Sequence, residues 1–192
     1  DCLRVEYPKW VESESLTAPA ILQAMQETEG KVVMTLMSSH IHRIQNTISA
    51  CEKLNRKVVF IGRSVEQNVE IAVRLGKLHI PEGMKVDKKH MEDVPESELC
   101  VIVAGSQGQE GSSLMRAVYG EHRMLKINQR DTVIFSADAI PGNEISYFGA
   151  IDELCRNKVH VLYPDVMPEL HKSGHASAPE QQELLGLIRP KY

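Results

Sequence analysis

Strands and helices alternating along the chain predict an α/β domain, a mainly parallel sheet flanked by helices on both faces. Three observations carry this expectation. Short runs rich in β-branched residues recur and are almost continuously apolar, as strands buried on both faces are. Stretches with apolar residues at helical spacing lie between them. Turns rich in glycine and serine stand where strands hand over to helices. Crossovers between such strands are right-handed, and ligands sit at the carboxyl ends of the strands.

The elements follow in order. Residues 17–29 read as a helix, capped by Thr17, with Pro19 in its first turn and Ile21, Leu22 and Met25 on its apolar face. Gly30 stops it. Residues 31–37 (KVVMTLM) form the first strand, and residues 41–54 a helix with Ile41, Ile44, Ile48 and Cys51 at helical spacing. Residues 57–61 (KVVFI) form the second strand. Ser64 and Gln67 make a capping box that opens a helix to about Leu75. Residues 81–97, with Pro81, Gly83 and Pro95, read as a long polar connection. Residues 99–104 (LCVIVA) form the third strand, followed by a glycine-rich loop and a short helix near 113–119. Residues 132–136 (TVIFS) form the fourth strand, with a helix over 143–155 after it. Residues 159–162 form a short fifth strand, residues 164–178 a loop, and residues 179–188 a last helix.

The chain has 192 residues, a formal net charge of −4 and 42% hydrophobic residues, enough for one domain with a real core. The mild acidity counts against a broadly basic nucleic-acid surface and leaves room for a local basic patch. No apolar run reaches bilayer length, and no signal peptide is visible. Four cysteines without a C-x-x-C pair fit reduced thiols, and the expected location is cytoplasmic. A chain opening on Asp1 is expected to be a fragment or a processed piece.

Four segments bear on chemistry. Residues 105–113, in which Gly105, Ser106, Gln107 and Gly108 lead to Ser112, offer backbone N–H groups and neutral donors to an anion. A phosphate cradle and an ordinary turn fit this pattern equally; it is neither a Walker motif nor a dinucleotide fingerprint. Residues 138–144 (DAIPGNE) fit a tight strand-to-helix turn better than a site. Residues 171–177 place His171, Lys172, Ser173, His175 and Ser177 in one loop. Ser173 and Ser177 are donors to phosphate and His175 a proton carrier, against a slightly favoured reading as a polar surface loop. His40 and His42 look like a piece of a metal motif, but lack a ligand set and read better as helix-start residues. Arg43, Gln45 and Asn46 read as solvated.

In order and spacing, these segments resemble the β-CASP domain of ribonuclease J, within the metallo-β-lactamase superfamily. The resemblance rests on Ser38-Ser39-His40-Ile41-His42-Arg43, Gly62-Arg63-Ser64 and Gly105-Ser106-Gln107-Gly108. It continues through Asp131-Thr132-Val133-Ile134-Phe135-Ser136 to Ile140-Pro141-Gly142-Asn143-Glu144, and ends with Ser173-Gly174-His175-Ala176 and Arg189-Pro190-Lys191.

The resemblance implies a single Rossmann-like β-CASP domain over residues 1–192, whose first ~30 residues are a linker and helix joining an absent metallo-β-lactamase domain. It implies a parent enzyme that cuts RNA as an endonuclease and a 5′-to-3′ exonuclease, with two zinc ions and a metal-bound hydroxide as nucleophile. His175 then corresponds to the family's motif-B histidine beside the scissile phosphate, with Ser173 in the same loop and Ser177 an added donor. The loop of Gly105, Ser106, Gln107 and Gly108 corresponds to the one that meets RNA phosphate and the 5′ end, and Ser38, Ser39 and His40 to further RNA contacts. Asp1 corresponds to the motif-A acid that orients the histidine. The sequence departs from the family in three places. Cys2-Leu3-Arg4 follows Asp1 in place of Ser-Thr-Asn, His40 replaces the common Asn, and Gly111 stands where Glu-Pro-Met is common. No H-x-H-x-D-H is present, so no metal ligand is assigned in this chain, and alone it is expected to be inactive. Expected partners are RNA, the absent domain and a second copy. Two other readings stay open: a non-catalytic RNA-binding or interaction module, and a Rossmann-like nucleotide-binding enzyme.

Overall fold

Successive side chains of a strand point to opposite faces of a sheet, and here that alternation feeds two separate cores. The computed structural model describes residues 3–192. Strands β1 (Val32–Leu36), β2 (Lys57–Ile61), β3 (Leu99–Val103), β4 (Thr132–Ser136) and β5 (His160–Leu162) form one sheet in the order β2-β3-β1-β4-β5. Every pairing is parallel; Val33 lies opposite Val101 on one side and Val133 on the other. Val32, Met34, Leu36, Val58, Phe60 and Ile102 pack into one layer with helices α1 (Thr17–Gln26), α2 (Ile41–Lys53) and α3 (Arg63–Arg74). Val33, Val59, Ile61, Val103, Val133 and Phe135 pack into the other with α4 (Ser113–Val118) and α5 (Glu144–Arg156). Helix α6 (Ala178–Ile188) lies outside both, and buries none of its own residues.

Several boundaries differ from expectation. Thr17 lies inside α1 instead of capping it, and its hydroxyl donates to the Glu14 carbonyl at 2.9 Å. That helix ends at Gln26, four residues before Gly30, whose N–H bonds the Arg130 carbonyl at 2.8 Å to start β1. The capping box expected at Ser64 is absent. Gly62 has φ +116, and a Cβ there would stand 2.6 Å from that of Ala104. This glycine lets α3 start directly off β2, with the Glu66 carboxylate accepting the Gly62 N–H at 3.1 Å.

The connection read as polar has structure of its own. It includes 3₁₀ turns at Lys88–Asp93 and Glu96–Glu98. Val58 donates its N–H to the Met84 carbonyl at 3.0 Å and accepts from Val86 N–H at 2.9 Å, which covers the free edge of β2. Met84 joins one core and Met91 the other, so this segment wraps that edge.

The amino ends of the strands are tied by buried charge. Lys31 contacts Asp131 at 2.6 Å and Glu96 at 2.8 Å. The Arg56 guanidinium donates to the carbonyls of Thr28, Gly30 and Leu99 at 2.7, 2.9 and 3.2 Å. Loops of functional interest therefore collect at the opposite rim. Among the described residues no helix is long and apolar enough to cross a membrane.

Candidate functional site

From β1 the chain continues to β2 on one side of the sheet, and from β4 to β5 on the other. A crevice opens where such connections diverge, outside the carboxyl ends of the strands. Because β2, β3 and β1 are neighbours, the loops after them line one cleft of about 640 Å³. Ser38, Gly62, Arg63, Ser64, Gly105, Ser106, Gln107 and Ser112 contribute to its wall. Gly105 has φ +120, and a Cβ there would stand 2.7 Å from the Ser112 Cβ. Only glycine lets this turn, closed by the Gly108 N–H on the Gly105 carbonyl at 3.0 Å, lie against the start of α4.

Gln107, expected as a phosphate donor, is buried and engaged elsewhere. Its Nε2 donates to the Asp138 carbonyl and its Oε1 accepts from Ile140 N–H, both at 2.8 Å. It braces the loop after β4. Ser106 is also largely buried, although it lines the cleft, while Ser39 is exposed just beyond β1. His40 heads α2: its Nδ1 accepts the Arg43 N–H at 3.2 Å, and its Nε2 lies 3.8 Å from Glu14 Oε1.

A second cleft, of about 260 Å³, is lined by His171, Lys172 and Ser173 together with Asp138, Asp165, Arg4, Tyr7 and Glu12. The Ser136 hydroxyl at the end of β4 donates to the Leu170 carbonyl at 2.6 Å and fastens this loop to the sheet. His175 is exposed, and its N–H donates to Ser173 Oγ at 3.2 Å. Ser177 corrects an expectation. It is fully buried, and its backbone N–H and its hydroxyl donate to the Glu180 carboxylate at 2.8 and 2.6 Å within the capping box that opens α6, so its hydroxyl is engaged there and not turned to a phosphate. Those hydrogen bonds from Ser177 hold the Glu180 carboxyl below its usual value.

Arg43 corrects another. It is 2% exposed, not solvated. Its Nε and Nη2 donate to the two oxygens of Glu14 at 2.8 and 2.5 Å. Its Nη1 donates to the Ser136 carbonyl at 2.8 Å and meets His171 Nδ1 at 2.6 Å, and its Nη2 reaches the Lys172 carbonyl at 3.4 Å. A guanidinium only donates, so Nδ1 accepts and the imidazole is neutral. Its Nε2–H then faces Asp138 Oδ2 at 3.6 Å. Burial, then the Arg43 charge, push the His171 imidazole below its ordinary value, against the opposing pull of Asp138. Burial likewise lowers His40, with Arg43 adding to it. For Glu14, burial alone would raise the carboxyl, but the hydrogen bonds and charge of Arg43 outweigh it and hold it low. A sequence signal for Arg43 existed: it shares a helix face with buried Thr47 and Ala50.

The 105–108 loop and the 171–175 loop thus share one rim, joined through Gln107, the loop after β4 and His171. Asp1 lies outside the described residues. Among the described residues no group of three or more His, Cys, Asp or Glu side chains is placed to hold a metal ion.

Residues 29–154 match the family model described as "Ribonuclease J, beta-CASP domain". The ribonuclease J of Helicobacter pylori (strain ATCC 700392 / 26695) is 40% identical over 180 residues, covering 94% of this chain and 26% of that protein. That of Thermus thermophilus is 36% identical over 192 residues, covering all of this chain and 33% of that protein. That of Synechocystis is 35% identical over 192 residues, again all of this chain and 30% of that protein. The chain therefore spans between about a quarter and a third of these relatives' length.

Proposed function

The chain belongs to the β-CASP domain family of ribonuclease J, and from that membership we propose that its strand-end rim grips the sugar-phosphate chain of an RNA for cleavage within a longer RNA-processing ribonuclease. The observation that carries this reading is the cleft shared by the loops after β1, β2 and β3. Phosphate and sugar oxygens take hydrogen bonds from backbone N–H groups, hydroxyls and arginine. Arg63, Ser38 and Ser64 line that cleft beside the Gly105 turn, and Ser39 extends the same edge. Such contacts position an RNA without reading its sequence.

His175 is proposed to stand beside the scissile phosphate and to pass a proton to the leaving oxygen, with Ser173 ordering the loop that carries it. Exonucleolytic and endonucleolytic cleavage both fit this arrangement. The reading includes two zinc ions, held by a metallo-β-lactamase domain elsewhere in the longer protein. The described residues of this chain offer no ligand cluster for them, and no step here is routed through a metal. The chain by itself is accordingly proposed to bind RNA without cutting it.

The test is His175→Ala in the intact protein, assayed by single-turnover cleavage of a 5′-monophosphorylated RNA. Removing a proton-transfer group of this kind is expected to slow cleavage by about 100-fold or more, with RNA affinity little changed. Unaltered cleavage would take His175 out of the reaction.

A further inference from the structure

We propose that Arg43 is a positioning residue, which fixes the tautomer of His171 and so holds the Ser173-Gly174-His175 loop in place on the strand-end rim; this rests on the RNA-cleaving reading above. The guanidinium is too deeply buried to touch RNA itself. Instead it joins four segments: Glu14 ahead of α1, its own helix α2, the Ser136 carbonyl ending β4, and His171 with the Lys172 carbonyl in the loop. A planar fork is required for this. The Glu14 carboxylate takes two donors on one edge, while the remaining N–H groups serve Ser136 and His171. Lysine, with one ammonium centre, cannot span these partners.

The coupling to His175 runs over a short distance. Arg43 donates to Nδ1, which leaves the proton of His171 on Nε2, facing Asp138 Oδ2 at 3.6 Å. The carbonyl of that same Asp138 accepts from Gln107, the brace of the glycine turn. Two residues beyond His171, Ser173 Oγ accepts the His175 N–H. One buried cation therefore sets the register between the loop that lines the phosphate cleft and the loop that carries the imidazole. Nothing in the cleavage chemistry calls for a charge at this depth, whereas positioning does.

The experiment uses the intact protein. Arg43→Lys is expected to lower single-turnover cleavage by about 100-fold, the scale of a small misplacement of a reacting group, with RNA affinity close to that of the unaltered protein. Amide hydrogen exchange at residues 172–176 is expected to rise while β1 and β4 stay protected. In a His175→Ala background the same change is expected to add little further loss, because it acts through that residue. A full, multiplicative loss in that background, or unchanged exchange at 172–176, overturns the proposal. If His175→Ala alone leaves cleavage intact, the reaction reading fails, and the exchange measurement still decides the positioning claim. Should Arg43→Lys not fold, His171 supplies the second pair. His171→Asn keeps an acceptor near the Nδ1 position and is expected to retain most activity. His171→Phe removes it and is expected to reproduce the loss. Equal activity of these two variants overturns the proposal as well.

Discussion

At the scale of the residue, the neutral His171 has a consequence for pH. Its ring is faced by Arg43 and His40 from α2, Glu14 from ahead of α1 and Asp138 from the loop after β4. A proton added at Nδ1 would point at the Arg43 guanidinium, so the folded state resists it. With the folded value below the ordinary imidazole value of about 6.5, the unfolded chain binds the proton more readily. The stability contributed by this contact is complete above that ordinary value and is lost as pH falls through the lower, folded one. Thermal unfolding followed from neutral to mildly acidic pH is expected to show a falling midpoint, and His171→Asn a shallower fall. Parallel curves would assign the acid sensitivity to His40 and His122, which burial also lowers. Asp138, Ser173 and His175 were visible as polar residues of loops. For Arg43 the only signal was its place on the buried face of α2, which named no partner, since its partners lie 29 to 129 residues away.

At the scale of the element, the strands were legible because most are almost continuously apolar, a pattern that needs no partner to be recognised. Helix starts were less so. The capping box expected at Ser64 to Gln67 does not form, whereas Ser177 and Glu180, expected in loop and helix, do form one. Gly62 pre-empts the first by starting its helix before Ser64. Ser177→Ala is expected to cost α6 about 1 kcal/mol. Since that helix buries none of its own residues, the loss should appear as faster amide exchange within residues 178–188, with the main unfolding transition nearly unmoved. An unchanged exchange pattern would mean that Ser177 is dispensable as a cap. The connection beyond α3 was legible as one, but its packing was not, for a related reason: Met84 and Met91 stand in a largely polar stretch, and their burial follows from the edge they cover.

At the scale of the whole molecule, the two ends of the sheet do different work. The amino ends are closed by Lys31, Asp131, Glu96 and Arg56, whose donors reach carbonyls and carboxylates from distant segments. Lys31 and Asp131 side chains are 4% and 0% exposed. Asp131 also accepts the N–H groups of Lys31 and Asn128 at 3.0 and 2.7 Å. Removing one partner of such a pair leaves a buried charge with less compensation, at a cost of about 3–5 kcal/mol. Asp131→Ala is expected to lower the unfolding free energy of this domain by that amount, read as a lower denaturant midpoint at unchanged slope, with RNA affinity of the folded protein preserved because the opposite rim is untouched. A midpoint that stays put would show that Glu96 alone satisfies Lys31.

The sequence by itself determined the alternating elements, the two-faced burial of the strands, the order of the loops at their carboxyl ends and the family likeness those loops carry. All of these depend on periodicity and on residues adjacent along the chain. The tertiary structure alone decided the strand order, the wrapping of the β2 edge, and which polar groups line the strand-end clefts and which brace the scaffold. Gln107, Ser177 and Arg43 changed role at that level. A side chain's hydrogen-bonding duty is fixed by which groups meet it once solvent is excluded, and those groups come from segments that only the packed sheet brings together.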